Sequence, residues 1–555
     1  MVRATFSGFN TALSALQANQ KRLDITGQNL SNMNTAGYTR QQLEASSLNY
    51  TNPVSHYSNG NETAVGFGVS MDRVSQIRDP YLDIQYRSQS ADCSYTNRLQ
   101  TALNSLSKVL DETTISGIRK AFDDVQSTLT SMQDPAKVSD PIYESELRTK
   151  MQSVCNLFNQ ASRQITQAEQ NEFQRLTGEG SSEQGDVQKI NDILRQIGDL
   201  NVQIKRNQVA GHPSLELQDE RNLLLDELSG YIPVETRYYK DDAHSGNNAY
   251  DYDANGAVIG KKDWPDDLEV SMNYIDAQGK SQKLILVNGS DLGADGLTKN
   301  YGQLSMLKGD HQTAASVSDP ANISIRFEKA PSYQVNGQAA TDVYAELKGI
   351  HFEGGSLQAS LDMLQKKGTG NVINGSVDDV RGYQYYSEKL DQLADTFAKS
   401  MNASNNGNNH KDQNLLSNST DDSTNGITAG NIGISKGWTS GTIHISTDGT
   451  NRTDTILDMI AAMKDTKKLN GKTFADYMNN LSTQLASDSS SNQTALKTGT
   501  TVLNSIQDSR DSLSGVSLDE EATNMMAYVS AYNAASRLMT ALDEVLNTLI
   551  SNTGA

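Results

Sequence analysis

Three groups of residues carry the chemistry that this 555-residue chain could perform. The first is Asp251-Tyr-Asp-Ala-Asn-Gly256, with oxygen ligands at alternate positions before a glycine. A calcium loop begins this way, since a hard cation wants oxygens and the sharp turn wants glycine. The twelfth position should bring a bidentate Glu, and here it is Lys262. No helical pattern precedes the stretch, so a plain turn and no metal are expected. The second group is Asp219, Arg221 and Asp226, inside Leu217–Ser229. Clustered charges of this kind can move protons, but their spacing also fits solvated helix faces and pairs one turn apart, which is the expectation. The third group is the seven histidines: His56, His212, His244, His311, His351, His410 and His444. No two stand at metal-ligating helical spacing, and no His-Glu-x-x-His or Gly-x-Ser-x-Gly pattern occurs. The expectation is no catalytic site, no cofactor and no enzyme. Cys93 and Cys155 lie in helical patterns and read as buried free thiols rather than a disulfide, because nothing else in the chain reads as a disulfide scaffold.

The elements that would have to position such residues are mostly helices, and the most strongly marked are at the two ends. From Leu518 to Ile550 neither Pro nor Gly interrupts the chain, enough for roughly 50 Å of helix. Ser517 and Glu520 have capping-box spacing, and Asp519, Glu520 and Glu521 place negative charge in the first turn. Ala522, Met525, Val529, Tyr532, Ser536 and Met539 alternate three and four apart, and Leu542, Leu546 and Leu549 continue after a small phase shift. That predicts a coiled-coil seam. Phe6, Phe9, Leu13, Leu16, Gln20, Leu23, Gly27 and Leu30 follow the same rhythm at the other end. The two stripes predict that the termini pair as a coiled coil and then pack against copies of the same chain. Each large side chain gains about 1.5–3 kcal/mol on burial. Unpartnered ends forgo that gain and are expected to stay largely disordered.

The first helix ends in Asn29-Leu-Ser-Asn-Met-Asn-Thr-Ala-Gly-Tyr-Thr-Arg-Gln-Gln42. Asn29, Asn32, Asn34 and Thr35 can cap and turn the chain, Gly37 can supply positive φ, and Tyr38 follows. The last helix opens with Ser514-Gly515-Val-Ser-Leu518-Asp519-Glu520-Glu521. The two segments together resemble the ends shared by bacterial flagellar rod, hook and hook-associated axial proteins. Leu217–Ser229, Leu390-Asp-Gln-Leu-Ala394 and Met401-Asn402 resemble the hook-associated members at the hook–filament junction. The resemblance implies a structural subunit that joins hook to filament in a helical array of copies of itself. It implies contacts with hook protein and with a second junction protein on the filament side. It also implies a cytosolic chaperone on the C-terminal helix, passage through the type III export apparatus, and an extracellular place without a cleaved signal peptide. A hook or rod subunit, or a surface adhesin or enzyme on a flagellar scaffold, are the alternatives.

Composition agrees with such a chain. Lys and Arg number 47 against 67 Asp and Glu, a net charge of −20, which argues against nucleic acid and anionic membrane as partners. No apolar run approaches membrane-spanning length. Asp79-Pro80 and Asp140-Pro141 each open a helix; Ile190–Ile204 and Leu217–Ser229 add two more. Val270–Tyr274, Leu284–Val287 and Ile323–Phe327 read as strands in a Gly-, Asn- and Tyr-rich middle. Helices return at Phe352–Leu361, Tyr383–Phe397, Ile456–Met463, Phe474–Leu481 and Leu496–Ile506, and Thr442–Ser446 reads as a strand. The fold class is mainly α with a β-rich inserted domain. Residues 1–50 and 512–555 form a terminal coiled coil, 51–234 and 351–511 a helical body, and 235–350 the outer β-rich insertion.

Overall fold

The computed structural model describes residues 2–48, 68–110, 117–210, 212–240, 250–252, 258–261, 266–275, 279–289, 299–308, 313–328, 334–335, 338–339, 344–347, 351–373, 376–407, 412–447 and 450–553. The fold is mainly α, with small antiparallel sheets in the middle of the chain. Helix α1 (Val2–Asn32) leads into a hairpin of β1 (Gln41–Ser47) and β2 (Val69–Gln76). The body follows as α2 (Pro80–Leu110), α3 (Ile118–Ser131), α4 (Pro135–Val138), α5 (Pro141–Thr177), α6 (Asp186–Val209) and α7 (Leu215–Tyr231). After the strands come α8 (Ser356–Gln365), α9 (Tyr383–Asn406), α10 (Lys436–Ser440), α11 (Asp454–Lys464), α12 (Phe474–Ser514) and α13 (Leu518–Thr553). Asp140 caps α5, its side chain accepting from Ile142 N with Pro at the first position, and Gly178 closes the helix in the left-handed region.

The body is built from both halves of the sequence. Phe122 of α3 packs its ring 5.9 Å from Phe158, 5.2 Å from Phe397 and 5.5 Å from Phe474, and all four are fully buried. Two come from before the strands and two from after, so neither half has this core alone. α12 is one continuous helix of 41 residues, where the sequence suggests two separate runs. Its serine-rich middle is held against α2, antiparallel. Gln100 Nε2 donates to Ser489 Oγ at 2.7 Å, and Asn492 Nδ2 to Thr96 O at 2.8 Å. Side-chain hydrogen bonds thus replace apolar packing there, and no hydrophobic periodicity reports them. Both cysteines are free, Cys155 being buried and Cys93 partly so.

In the middle of the chain, strand Asp266–Ile275 pairs with Glu235–Lys240 and His351–Phe352 on one edge and Ser281–Asn288 on the other. Gln303–Lys308, Ile323–Glu328 and Tyr344–Leu347 form a second antiparallel sheet. Three asparagines fasten the strands to α6. Asn191 bonds both backbone groups of Leu304, at 2.7 and 2.8 Å. Asn201 donates to Leu268 O and Gly289 O, and Asn300 donates back to Gly198 O at 3.0 Å. Each side-chain amide stands in for a missing strand neighbour, as buried backbone groups require. The start of the calcium-like stretch lies in a short strand, Tyr250–Tyr252; Asp253–Gly256 and Lys262 lie outside the described residues. Thr442–Ser446 is not a strand. Asn405 bonds His444 O and Ser446 N there, so a side chain serves the backbone that a strand partner would have served.

Phe122→Ala empties the centre of the aromatic cluster and should lower unfolding stability by about 3–5 kcal/mol. Denaturant or thermal unfolding checks this; an unchanged midpoint would contradict a shared core.

Candidate assembly site at the chain termini

The two terminal helices lie side by side and antiparallel. A Cβ on Gly8 would touch Leu542 Cδ1 at 3.4 Å, the Arg22 guanidinium sits 5.6 Å from the Tyr528 ring centre, and Arg40, just past α1, bonds Glu520 and Glu521. On α1 the buried positions are Ala12, Ala18, Asn19, Ile25, Thr26 and Asn29. On α13, Glu521 and Ala535 are buried and Asn524, Tyr528, Met539, Leu542 and Leu546 half-buried. This seam is richer in small and polar residues than the predicted one, so the helices approach closely. Phe9, Leu16, Leu23 and Leu30 are half-buried, while the side chain of Phe6 lies outside the described residues. The expectation for the rest of the stripe needs correction. Leu13 is 47% exposed, Met525 37%, Val529 43%, Tyr532 37% and Leu549 40%, so these residues flank the intrachain seam instead of filling it. The alanines that fill it are weak hydrophobic signals, and the larger residues beside them draw the apparent seam off its axis. The β1–β2 hairpin packs on α1, where Val69 N donates to Ser14 Oγ at 3.2 Å.

The motif after α1 forms the corner that joins this pair to the body. Asn29 is buried and its amide grips Gln41 N and O, both at 3.0 Å, while Tyr38 OH donates to Asn29 Oδ1 at 2.9 Å. Thr35 N bonds Asn32 O, Asn34 sits exposed in the turn, and Gly37 has φ of +78°. Arg40 Nε donates to Glu521 at 2.8 Å and Nη1 to Glu520 at 2.7 Å, and Arg40 N donates to Ser514 O. Glu520 therefore serves Arg40 and does not complete the capping box; Ser517 Oγ still accepts from Glu520 N, at a long 3.5 Å. Gly515 ends α12, and a Cβ there would lie 2.4 Å from Asp511 O. Leu518 and Asp519 are exposed at the start of α13.

Asp219, Arg221 and Asp226, expected on solvated faces, are drawn inward. Asp219 accepts from Thr39 Oγ1 at 2.6 Å and Thr39 N at 3.1 Å, which ties the corner to α7. Arg87 and Arg510 both bond Asp226 at 2.7 Å, and Arg510 also reaches Asp83 and covers the Tyr86 ring at 4.3 Å. Arg221 is buried against Asn201 and Tyr238. The helix pattern is regular here, but charged residues on it gave no sign of distant partners. The arrangement encloses a polar cleft of about 710 Å³, lined among others by Tyr38, Arg78, Arg510 and Glu520. Its ion pairs hold α2, α7 and α12 against one another through Asp83, Arg87, Asp226 and Arg510. Among the described residues no three or more His, Cys, Asp or Glu cluster as metal ligands would.

Comparison with known proteins matches each of these parts. A family model described as the flagellar hook-associated protein FlgK helical domain matches residues 103–415, more than half of the chain. The chain belongs to this flagellar hook-associated family. A flagella basal body rod protein model matches residues 9–39, and a flagellar basal body rod FlgEFG protein C-terminal model matches 509–552. The flagellar hook-associated protein 1 of Bacillus subtilis is 29% identical over 568 aligned residues, covering 99% of both chains. That of Escherichia coli is 28% identical over 231 residues, 41% of this chain and 39% of the relative. The solved flagellar hook junction protein FlgK from Burkholderia pseudomallei aligns at 19% identity and a TM-score of 0.39, over 60% of this chain and 46% of that one. In this hook-associated chain the rod-type matches fall on α1 with its corner, and on the end of α12 with α13. Arg40, one residue past the first match, ties that segment to the second through Glu520, Glu521 and Ser514 O.

The corner of this family member should respond to pH through Asp219. Burial pushes the Asp219 carboxyl up from 3.8 to about 6, outweighing the opposing bonds from Thr39 and the charge of Arg78. The folded state therefore holds this proton more tightly than the unfolded chain. The stabilising contribution is full below about pH 4 and is lost as pH rises through about 6. Asp219→Asn should flatten the dependence of thermal stability on pH between about 4 and 7 relative to the unmodified chain. Equal slopes in melting curves would contradict the assignment. Thr39→Val leaves the buried carboxylate short of a donor and should cost about 1–3 kcal/mol.

Proposed function

We propose that this chain is a structural subunit of the bacterial flagellum that joins the hook to the filament and polymerises through its paired terminal helices. The observation that carries the reading is the antiparallel α1–α13 pair: its two segments match rod-protein models, and a hook-associated helical domain stands between them. Rod-type ends supply the part that assembles along an axis, and the intervening body distinguishes a hook-associated subunit from a rod or hook subunit. In this reading residues 1–50 and 512–555 are the inner assembly module, 51–234 and 351–511 the helical body, and 235–350 an outer domain.

Assembly contacts fall to the residues that the intrachain seam leaves uncovered, chiefly Met525, Val529 and Tyr532. Because each terminal helix has a partner within the same chain, pairing can precede docking on neighbours, and only the outer faces wait for another copy. Partners in this reading are further copies of the chain, hook protein below, a second junction protein towards the filament, and a cytosolic chaperone that covers the C-terminal helix before type III export. The product works outside the cell and catalyses nothing; burial of apolar helix faces and ion pairs is all the chemistry assembly needs.

Deleting the chain in its own cell tests this. The expected result is hooks of normal form without filaments, and flagellin shed into the medium. Missing hooks would move the chain to the rod or hook, and normal attached filaments would overturn the reading.

A further inference from the structure

Between Leu518 and Val545, the exposed apolar residues of α13 other than Met526 fall into two groups on opposite sides of the seam. Taking buried Ala535 as the direction of α1 and about 100° per residue, Leu518, Ala522, Met525, Val529 and Tyr532 lie roughly 60–140° round one way. On the other side Ala534, Leu538, Ala541 and Val545 lie roughly 60–120° round the other way. All nine are exposed, Leu538 at 49% and Val545 at 54%. The back of the helix, between the two flanks, carries Asp519, Ser530, Asn533, Arg537 and Glu544 and is mostly polar, with Met526 its one large apolar side chain, 67% exposed. α1 cannot cover either flank, because it occupies the seam and is itself covered by the hairpin.

The two flanks differ in shape and in position along the helix. The first presents Met, Val and Tyr in the N-terminal half. The second alternates Ala with Leu and Val in the C-terminal half, which leaves shallow gaps between larger side chains. Knobs on one face and gaps on the other suit each other better than either suits itself. We propose that the occupant of each flank is a second copy of this chain: the Met525–Val529–Tyr532 flank of one copy packs on the Ala534–Leu538–Ala541–Val545 flank of the next. A contact between two different faces is heterologous, leaves one free face at each end and so continues without closing on a pair. The flanks are centred about eleven residues apart, so parallel neighbours are displaced along the axis by on the order of 15–20 Å. This contact rests on the reading of the terminal pair as the assembling module and adds which faces meet.

The test uses the full chain with Cys93→Ser, expressed in cells lacking the native copy, and carrying Val529→Cys with Leu538→Cys or either change alone. Isolated hooks are treated with a short bis-maleimide. The expected result is a ladder of dimers and higher oligomers from the double variant and monomer from each single one. Dimers from Val529→Cys alone would show the flank meeting itself and overturn the proposal. Restored filaments with no ladder would also overturn it while leaving the structural role standing. Where cysteine variants fail to incorporate, charge replaces them. Val529→Asp should abolish filament attachment and Val529→Asp with Leu538→Lys in one chain should restore it; a double variant no better than the single would overturn the proposal. Loss of the deletion phenotype itself, by contrast, would remove the role and not merely the interface.

Discussion

The structure depends on one ion-paired meeting of distant residues. Arg40 holds Glu520 and Glu521 across a sequence separation of about 480 residues, so it closes the chain into a loop with the helical body and the sheets inside it. Glu521 is almost wholly buried, and a buried carboxylate without a partner is costly, commonly by several kcal/mol. The ion pair therefore acts less as a source of stability than as a condition on geometry. The termini can bury Glu521 only in the arrangement that delivers Arg40 to it. Asn29 and Asp219 impose the same kind of condition on either side, one on the corner and one on its seat against α7.

Once the ends are fixed, the remaining packing follows from the continuity of long helices. α12 carries the constraint from the corner along α2 into the aromatic cluster of Phe122, Phe158, Phe397 and Phe474. The sheets then dock on α6 through Asn191, Asn201 and Asn300. The connections that carry orientation are polar at both docking places, and the apolar core lies between them. Polar contacts are directional, so they set angles between parts that the hydrophobic effect alone would leave free to slide.

The terminal helices, the corner motif and the strands at Val270, Leu284 and Ile323 could be read from the sequence because each has a local signature. What failed to show has a physical reason. Helix α3 carries Ile118, Phe122, Val125 and Leu129 on one face, a regular signal too short to stand out among its polar neighbours. On α13 the seam keeps Met539, Leu542 and Leu546 of the periodic stripe towards its C-terminal end, but nearer its start it is lined by Glu521, Asn524, Tyr528 and Ala535, whose polarity or small size a hydrophobic periodicity does not register. Asp219 and Asp226 looked like surface charges because their partners, Thr39, Arg87 and Arg510, are far away in sequence. Ile443 and Ile445 alternate like a strand, but a single asparagine satisfies their backbone neighbours.

The most direct test of this account is the register of the terminal pair. A Cβ on Gly8 lies 3.4 Å from Leu542 Cδ1, so in the full chain with Cys93→Ser, Gly8→Cys and Leu542→Cys should be joined within one chain by a short bis-maleimide, seen as altered migration of the monomer on denaturing gels. Pairing Gly8→Cys with Tyr528→Cys, about 14 residues away along α13, should give no link. Efficient closure of the second pair and not the first would contradict the antiparallel register on which the corner, the ion pair and the two free flanks all rest.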